Sequence, residues 1–277
     1  MSNYTSPYQE LYLERCVKTD SGYKPTFWNP QPVVTESFCL YGDESMTVDP
    51  QWSCDKVINR LIALGLELEL EVGEFVRDAS AKDLPQDDHL KKLLQSNIAD
   101  EAKHYKGFVY AREAYPVSNK SLTEAANIRS QWQTLANIEH PLLIAMAMEI
   151  GVFLPFLGCT RLFGGKSLAT LSRKVAEDEY RHILTNRTLL DDLEIDAWNL
   201  PTSVNKLIQE TVAWAIDDLY IPDSEVDEDF DLDFVLRASK ELITTGEAQD
   251  YDDLVYVADH VLPFEVSNAS QYDRVLE

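Results

Sequence analysis

The sequence predicts an all-α fold, a bundle of long helices. Apolar residues recur every three or four positions along several long stretches, which is the spacing of one face of an amphipathic helix. Proline, glycine and capping residues fall between these stretches, where helices begin and end. We find no convincing alternation of apolar and polar residues, which would indicate strands, and no internal repeat of solenoid length.

The first segment, residues 1–48, is predicted to form an irregular arm wrapped over the domain, because it is rich in proline and aromatic residues. A first long helix is expected to begin at Asp49 and Pro50, which suit a cap and a first helical position. A second long helix is expected between Pro85 and Pro116, since proline is tolerated near a helix start and breaks a helix interior.

Further helices follow. The sequence Ser-Leu-Thr-Glu at 121–124 has the pattern of a capping box and is predicted to start the third helix. Pro141 is expected to begin the fourth helix, which Pro155 interrupts or ends. Ser167 can cap the fifth helix, and Pro201 is expected to start the sixth.

The helical bundle is therefore predicted to occupy residues 49–221, and the chain changes character after it. Residues 222–233 carry seven acidic side chains and no basic one, a run typical of a solvated linker or an interaction tail. Helix-like segments near 232–245 and 250–261 and a flexible polar end complete the predicted C-terminal part, residues 222–277.

The formal net charge of -24 limits the classes of partner. Phosphate backbones attract lysine and arginine, so direct binding of nucleic acid is not expected. The same charge counts against an anionic membrane surface. The four cysteines form no Cys-x-x-Cys pair, which favours ordinary thiols of a reducing compartment over a disulfide framework or a zinc knuckle.

The targeting features also favour a cytoplasmic protein. No signal peptide is visible at the start of the sequence. The most apolar stretch, 142–157, is short for a membrane span and holds Glu149 in its middle. We therefore expect this stretch to be a buried helix.

The pattern Asp-Glu-x-x-His occurs twice, at 100–104 and at 178–182, in two of the predicted long helices. Positions three apart on a helix face the same way, so the Glu and the His of each pattern can hold one metal ion together. In both helices they fall on the apolar stripe, where an unpaired charge is costly and metal coordination removes the conflict. The predicted ligands are Glu101, His104, Glu179 and His182.

Two more carboxylates complete the predicted ligand set. Glu149 is the only acidic residue of its helix and lies in line with apolar positions. In the first helix Glu71 fills the missing position of an apolar stripe and is predicted as the ligand, with Glu74 and Glu67 as alternatives, whereas Glu69 is expected to point away. The members of that stripe are Leu61, Leu64, Leu68 and Phe75.

Four carboxylates and two imidazoles suit two iron or manganese ions, because carboxylate favours hard cations and no thiolate invites zinc. One Glu from each of two helices and a Glu-x-x-His from each of two others is the ligand set of bundle-core di-iron and di-manganese proteins. Asp100 and Asp178 lie one turn before the histidines. They are expected to accept the outer ring N–H of a ligating histidine, directly or across the site.

These residues resemble the small, radical-generating subunit of class I ribonucleotide reductase and the related ferritin-like oxygenases. The sequence Thr-Phe-Trp-Asn-Pro at 26–30 is similar to the Phe-Trp-x-Pro segment of the reductase subunits, whose tryptophan lies on the radical-transfer route. The stretch from Glu149 to His182 is similar to the family's third-to-fourth helix region. The polar C-terminal end carries Tyr272, and family members dock on the catalytic subunit through a flexible tail with a tyrosine.

The resemblance implies a ferritin-like bundle and a homodimer. Its cofactor would be an oxygen-activated pair of metal ions, di-iron, dimanganese or Mn/Fe. This centre would supply the oxidising equivalent to a large catalytic subunit, bound through the C-terminal tail, that makes deoxyribonucleotides. The resemblance implies that Trp28, Asp178 and His104 begin the radical relay and that Tyr272, or with less support Tyr256, continues it.

One position departs from the family pattern. Members with a tyrosyl radical carry the tyrosine one turn beyond the first metal-ligating histidine, and this chain has Phe108 there. The resemblance therefore implies a reductase subunit that lacks the radical tyrosine and keeps the oxidising equivalent on the metal ions.

Two other functions use the same ligands. A stand-alone di-iron oxygenase or hydroxylase would act on a small molecule, and would need an apolar channel to the metals and no docking tail. A non-enzymatic ferritin-like metal-binding protein would have a shorter bundle without an arm or a tail.

Overall fold

The computed structural model describes residues 6–13, 16, 28–34, 54–82, 84–162, 167–197 and 200–216. Within these ranges every regular element is helical and no strand is present, so the all-α prediction is confirmed for this part of the chain. The predicted helix start at Asp49, the acidic segment and the C-terminal tail with Tyr256 and Tyr272 lie outside the described residues. The described α-helices are α1 (Pro7–Tyr12), α2 (Cys54–Lys82), α3 (Asp88–Ala114), α4 (Asn119–Ala136), α5 (Pro141–Leu162), α6 (Ser167–Asp192) and α7 (Thr202–Ile216).

The starts of α3 and α4 differ from the predicted ones by about a turn. Asp87 caps α3, and its side chain accepts the backbone N–H groups of His89 at 2.8 Å and Leu90 at 3.1 Å. The prediction of a capping box at 121–124 was wrong. Ser118 caps α4 instead, with its hydroxyl accepting the N–H of Ser121 at 3.1 Å.

Helix α5 continues through Pro155, which was expected to interrupt or end it. Proline removes one backbone hydrogen bond and disfavours the helix interior. The neighbouring Phe153 and Phe156 are almost fully buried, so packing of the apolar side chains stabilises the helix on both sides of the proline. The helix is buried rather than exposed, as predicted for this stretch.

Helices α2, α3, α5 and α6 form the centre of the bundle, with α2 against α3 and α5, and α6 against α5 and α3. Helix α4 packs on α2, helix α7 packs on α5, and α1 packs on α3. The apolar core lies along these contacts. Within the described ranges, no helix combines the length and the apolar character that a membrane crossing requires.

The described part of the N-terminal arm lies against the bundle. Residues 28–34 are not helical, and the N–H of Val34 donates to the hydroxyl of Ser167 at the start of α6, at 3.0 Å. The phenol of Tyr115 donates to the carbonyl of Val34 at 3.4 Å. These bonds place the segment from Trp28 to Val34 alongside α3 and α6. The arm was predicted to be irregular throughout, and α1 is the exception.

Candidate metal centre

Four helices bring four carboxylates and two imidazoles to one point in the middle of the bundle. They are Glu69 on α2, Glu101 and His104 on α3, Glu149 on α5, and Glu179 and His182 on α6. Each is at least 99% buried. The donor atoms form two groups, within each of which they lie within 4.8 Å of one another: Glu69, Glu101, His104 and Glu179 in the first, and Glu101, Glu149, Glu179 and His182 in the second.

Glu101 and Glu179 belong to both groups. Glu101 places Oε2 at 3.6 Å from Nδ1 of His104 and Oε1 at 2.8 Å from Nδ1 of His182. Glu179 places Oε1 at 3.2 Å from His104 and Oε2 at 3.7 Å from His182. Each carboxylate thus turns one oxygen toward each histidine. This is the orientation that a carboxylate needs to bridge two adjacent cations.

The structure corrects the ligand predicted from the first helix. Glu69 lies in the cluster, with Oε2 at 3.0 Å from Nδ1 of His104, although it was expected to point away. Glu71 is half-buried outside the cluster. The alternatives are not there either, since Glu67 pairs with Arg129 at 2.6 Å and Glu74 is exposed.

The reason for the error is that α2 is buried on two sides. One apolar stripe suggested Glu71, but a second stripe with regular three- and four-residue steps faces α3 and contains Glu69. Its members are Ile58, Ile62, Gly65, Glu69, Val72, Val76 and Ala79, all buried. The two glycines of α2 also mark the side that faces α3, because Gly65 adjoins Phe108 and Gly73 adjoins Glu101.

The aspartates of the two patterns lie behind the histidines. Nε2 of His104 is 3.1 Å from Oδ2 of Asp178, and Nε2 of His182 is 3.4 Å from Oδ2 of Asp100. Of the two arrangements expected for these aspartates, the structure has the one across the site. In both histidines Nδ1 faces the glutamates and Nε2 faces an aspartate, which orients the ring as in metal-ligating histidines.

Two cationic side chains balance the aspartates. Arg181 contacts Asp100 and also donates to Oδ1 of Asp178 at 3.2 Å, and Lys103 contacts Asp100. Burial opposes the lowering of the Asp100 pKa, but the bond to His182 and the charges of Arg181 and Lys103 outweigh it and hold the pKa well below its usual range. Asp100 therefore remains ionised.

The N-terminal arm reaches this network through Trp28. Its indole N–H donates to Oδ2 of Asp178 at 2.7 Å, and its ring is stacked on His104 with the centroids 6.0 Å apart. Because the same oxygen of Asp178 also contacts His104, a continuous path runs from the cluster through His104 and Asp178 to Trp28. Tyr272, the other predicted relay residue, is outside the described part of the chain.

Phe108 lies one turn beyond His104 and is buried. Its ring is stacked on Phe156 with the centroids 4.9 Å apart and fills the space left by the missing side chain of Gly65. The position predicted by resemblance to correspond to a radical tyrosine is thus part of an apolar contact between α3, α2 and α5.

Without a bound metal ion, the pKa values of the cluster side chains are set by their burial and by their charges on one another. Burial raises the pKa values of Glu69 and Glu149 well above their usual range. Burial opposes charge on His104 and His182, but the surrounding carboxylates outweigh it and raise both pKa values well above normal. For Glu101 burial is outweighed by the two imidazoles, which lower its pKa to about 2.

These residues can hold metal ions. Among the described residues, the four buried oxygens of Glu101 and Glu179 have no hydrogen-bond partner of good geometry, and the nearby groups that could donate are the two imidazoles themselves. Buried carboxylate oxygens without a donor are costly, and cations between them would satisfy their lone pairs. The four glutamates carry a formal charge of -4, which two divalent cations balance. Comparisons of the chain with protein-family models, curated proteins and solved structures find no match.

Proposed function

We propose that this chain is the small, radical-generating subunit of a class I ribonucleotide reductase, built on a ferritin-like bundle. Two iron or manganese ions, or one of each, would be held by Glu69, Glu101, His104, Glu149, Glu179 and His182. When bound, the ions supply an oxygen-dependent one-electron oxidation. The oxidising equivalent passes to a large catalytic subunit, which reduces ribonucleotides.

The observation that carries the proposal is the hydrogen-bonded path from the cluster to Trp28. His104 contacts Asp178 at 3.1 Å, and Trp28 donates to the same aspartate at 2.7 Å. An indole that loses an electron becomes a strong N–H acid, and Oδ2 of Asp178 is placed to hold or take that proton. A metal store needs no such path, and an oxygenase that acts within its own pocket does not need an oxidisable side chain leading outward.

The ligand set supports iron and manganese. Carboxylate oxygens with imidazole nitrogens favour these ions, and within the described residues no cysteine is among the clustered donors. The apolar wall formed by Phe108 and Phe156 keeps water from one side of the centre. Phe108 offers no oxidisable phenol one turn beyond His104, so Trp28 would be the first oxidisable side chain on the path from the ions.

The remaining parts of the proposal concern partners. The catalytic subunit would dock on the acidic C-terminal region, residues 222–277, with Tyr272 as the next carrier of the radical. Two copies of the chain would form a homodimer. The net charge of -24 supports a protein partner rather than a nucleic acid.

The test is Trp28→Phe, assayed for ribonucleoside diphosphate reduction with the large catalytic subunit of the same organism. Phenylalanine keeps a packed ring but loses the N–H and is far harder to oxidise. We expect two ions per chain to remain bound while turnover falls on the order of a hundred-fold or more. Trp214→Phe is the matched control, because it removes the indole bond to Glu124 at 3.0 Å on α4, away from the centre.

Other outcomes would replace the proposal. Turnover of a small molecule without the catalytic subunit, unchanged in Trp28→Phe, would identify a stand-alone oxygenase. Metal uptake with no oxygen-dependent oxidation and no effect on the catalytic subunit would identify a metal-binding protein without enzymatic activity.

A further inference from the structure

The two halves of the centre differ one turn beyond the histidine. The duplicated pattern places Phe108 four residues after His104 and Asn186 four residues after His182, and both side chains are at least 99% buried. Phe108 packs against another aromatic ring. Asn186 places an amide at the equivalent position of the other half, and a buried amide requires hydrogen-bond partners.

The partner of Asn186 is Glu149 on α5, a carboxylate that belongs to only one of the two donor groups. Nδ2 of Asn186 donates to Oε1 at 3.0 Å and to Oε2 at 2.8 Å. Because the nitrogen is almost equally distant from both oxygens, it occupies the mouth of the carboxylate, where a cation chelated by both oxygens would sit. A carboxylate offers about four lone-pair sites, so the outer lone pairs of Glu149 remain for a metal ion.

Glu69 is the carboxylate that belongs only to the His104 group, and its hydrogen bonds differ from those of Glu149. Its Oε2 lies 3.0 Å from Nδ1 of His104, and among the described residues its Oε1 has no hydrogen-bond partner. The nearest oxygen of Glu149 is 3.9 Å from Nδ1 of His182. In the half of the centre near His182, Glu149 is thus held by an amide, whereas in the half near His104, Glu69 contacts only the histidine.

We propose that Asn186 is a positioning residue that holds Glu149 as a one-oxygen ligand of the metal ion on the His182 side. The amide lies between the two oxygens of Glu149, so the carboxylate can offer the ion only an outer lone pair of one oxygen. Asn186 acts through Glu149 and on that ion alone. This inference rests on the proposed two-metal centre but not on the assignment to ribonucleotide reductase, since it concerns only metal binding.

The test is a titration of metal-free protein with Mn²⁺, with free Mn²⁺ followed by its EPR signal. Glu149→Gln and Glu69→Gln identify which binding step belongs to which half. We expect Asn186→Leu to weaken the step that Glu149→Gln weakens, by about 10- to 100-fold, the range for loss of a partner that orients a metal ligand. The other step should stay unchanged. Phe108→Leu, the matched change in the other half, should leave the His182-side step unchanged.

A double variant separates positioning from general damage. If Asn186 acts through Glu149, then Asn186→Leu should add no further loss in a Glu149→Gln background. Asn186→Ser, which keeps a shorter donor, should give a smaller loss and serves if the leucine variant does not fold. An unchanged step in both variants, an equal loss in both halves, or fully additive losses would overturn the inference. Wild-type protein that binds no Mn²⁺ would instead overturn the two-metal centre itself.

Discussion

At the scale of single residues, the correction from Glu71 to Glu69 has the most direct consequence. Glu69 is 99% buried beside His104, whereas Glu71 is half-buried outside the cluster. We expect Glu69→Gln to lower the bound metal from two ions to about one per chain, because an amide is a far weaker ligand than a carboxylate. Glu71→Gln should keep both ions. Elemental analysis after dialysis measures this, and the opposite pattern would restore Glu71.

A second residue-scale prediction concerns the end of α6. Glu194 is exposed and has a φ of 59°, the left-handed region in which a Cβ is unfavourable. We expect Glu194→Gly to raise the free energy of unfolding by about 0.5–1 kcal/mol, after the larger unfolded-state entropy of glycine is counted. Urea denaturation measures the change. Glu194→Ala keeps the Cβ and should gain nothing, and equal gains in both variants would contradict the backbone explanation.

The sequence contained most of the centre at this scale. The duplicated Asp-Glu-x-x-His and the isolated Glu149 lie on apolar stripes of their helices, and the structure brings together all five side chains that these segments were predicted to contribute. Glu69 could not be chosen by periodicity, because α2 is buried on two sides and either stripe accepts a glutamate. The bond from Asn186 to Glu149 depends on how α5 and α6 meet, which no local pattern records.

At the scale of helices, the contact between α2 and α3 depends on a missing side chain. A Cβ added to Gly65 would lie 2.1 Å from the ring of Phe108, whereas one added to Gly73 would be 3.6 Å from Glu101. We expect Gly65→Ala to destabilise the protein by about 1–3 kcal/mol through overpacking. Gly73→Ala on the same helix should be neutral or stabilising by up to about 1 kcal/mol, because alanine favours helix.

The rescue of Gly65→Ala would show that Phe108 is the cause. In a Phe108→Leu background the smaller side chain should remove most of the loss, measured by urea denaturation of all three variants. An undiminished loss in the double variant would place the strain elsewhere on α2.

The helix boundaries show which part of the secondary structure could be predicted from the sequence. Proline and apolar periodicity located the starts of α3 to α7 to within about a turn, but the choice between two nearby caps depended on tertiary contacts. Ser118 rather than Ser121 caps α4, because its N–H also donates to Asn59 on α2 at 2.7 Å. Pro155 lies inside α5 because burial of the helix outweighs one lost hydrogen bond.

At the scale of the whole molecule, stability should depend on pH in a direction set by the metal-free cluster. The pKa values of His104, His182, Glu69 and Glu149 are raised. The folded state therefore binds more protons than the unfolded state, and the contribution of these groups falls as pH rises. We expect the free energy of unfolding to decrease from pH 6.5 to 8.5, by about 1.4 kcal/mol per pH unit for each proton held only by the folded state.

Bound metal should change this dependence. Ligating histidines are neutral and ligating glutamates are ionised, so binding of two ions releases protons. With Mn²⁺ present the decrease between pH 6.5 and 8.5 should largely disappear, and binding in weakly buffered solution should acidify the medium. Stability of the metal-free protein that rises over this range would contradict the assigned protonation.

Each histidine of the cluster contacts the aspartate of the other pattern, and this arrangement has a consequence for the synthesis of the protein. Asp178 on α6 serves His104 on α3, and Asp100 on α3 serves His182 on α6. Neither helix can complete a binding position alone, and α6 is the last of the four to leave the ribosome. A nascent chain that has released only α2 and α3 exposes glutamates and a histidine without their counterparts. If the cluster binds metal as proposed, a complete binding position can therefore form only after α6 has left the ribosome.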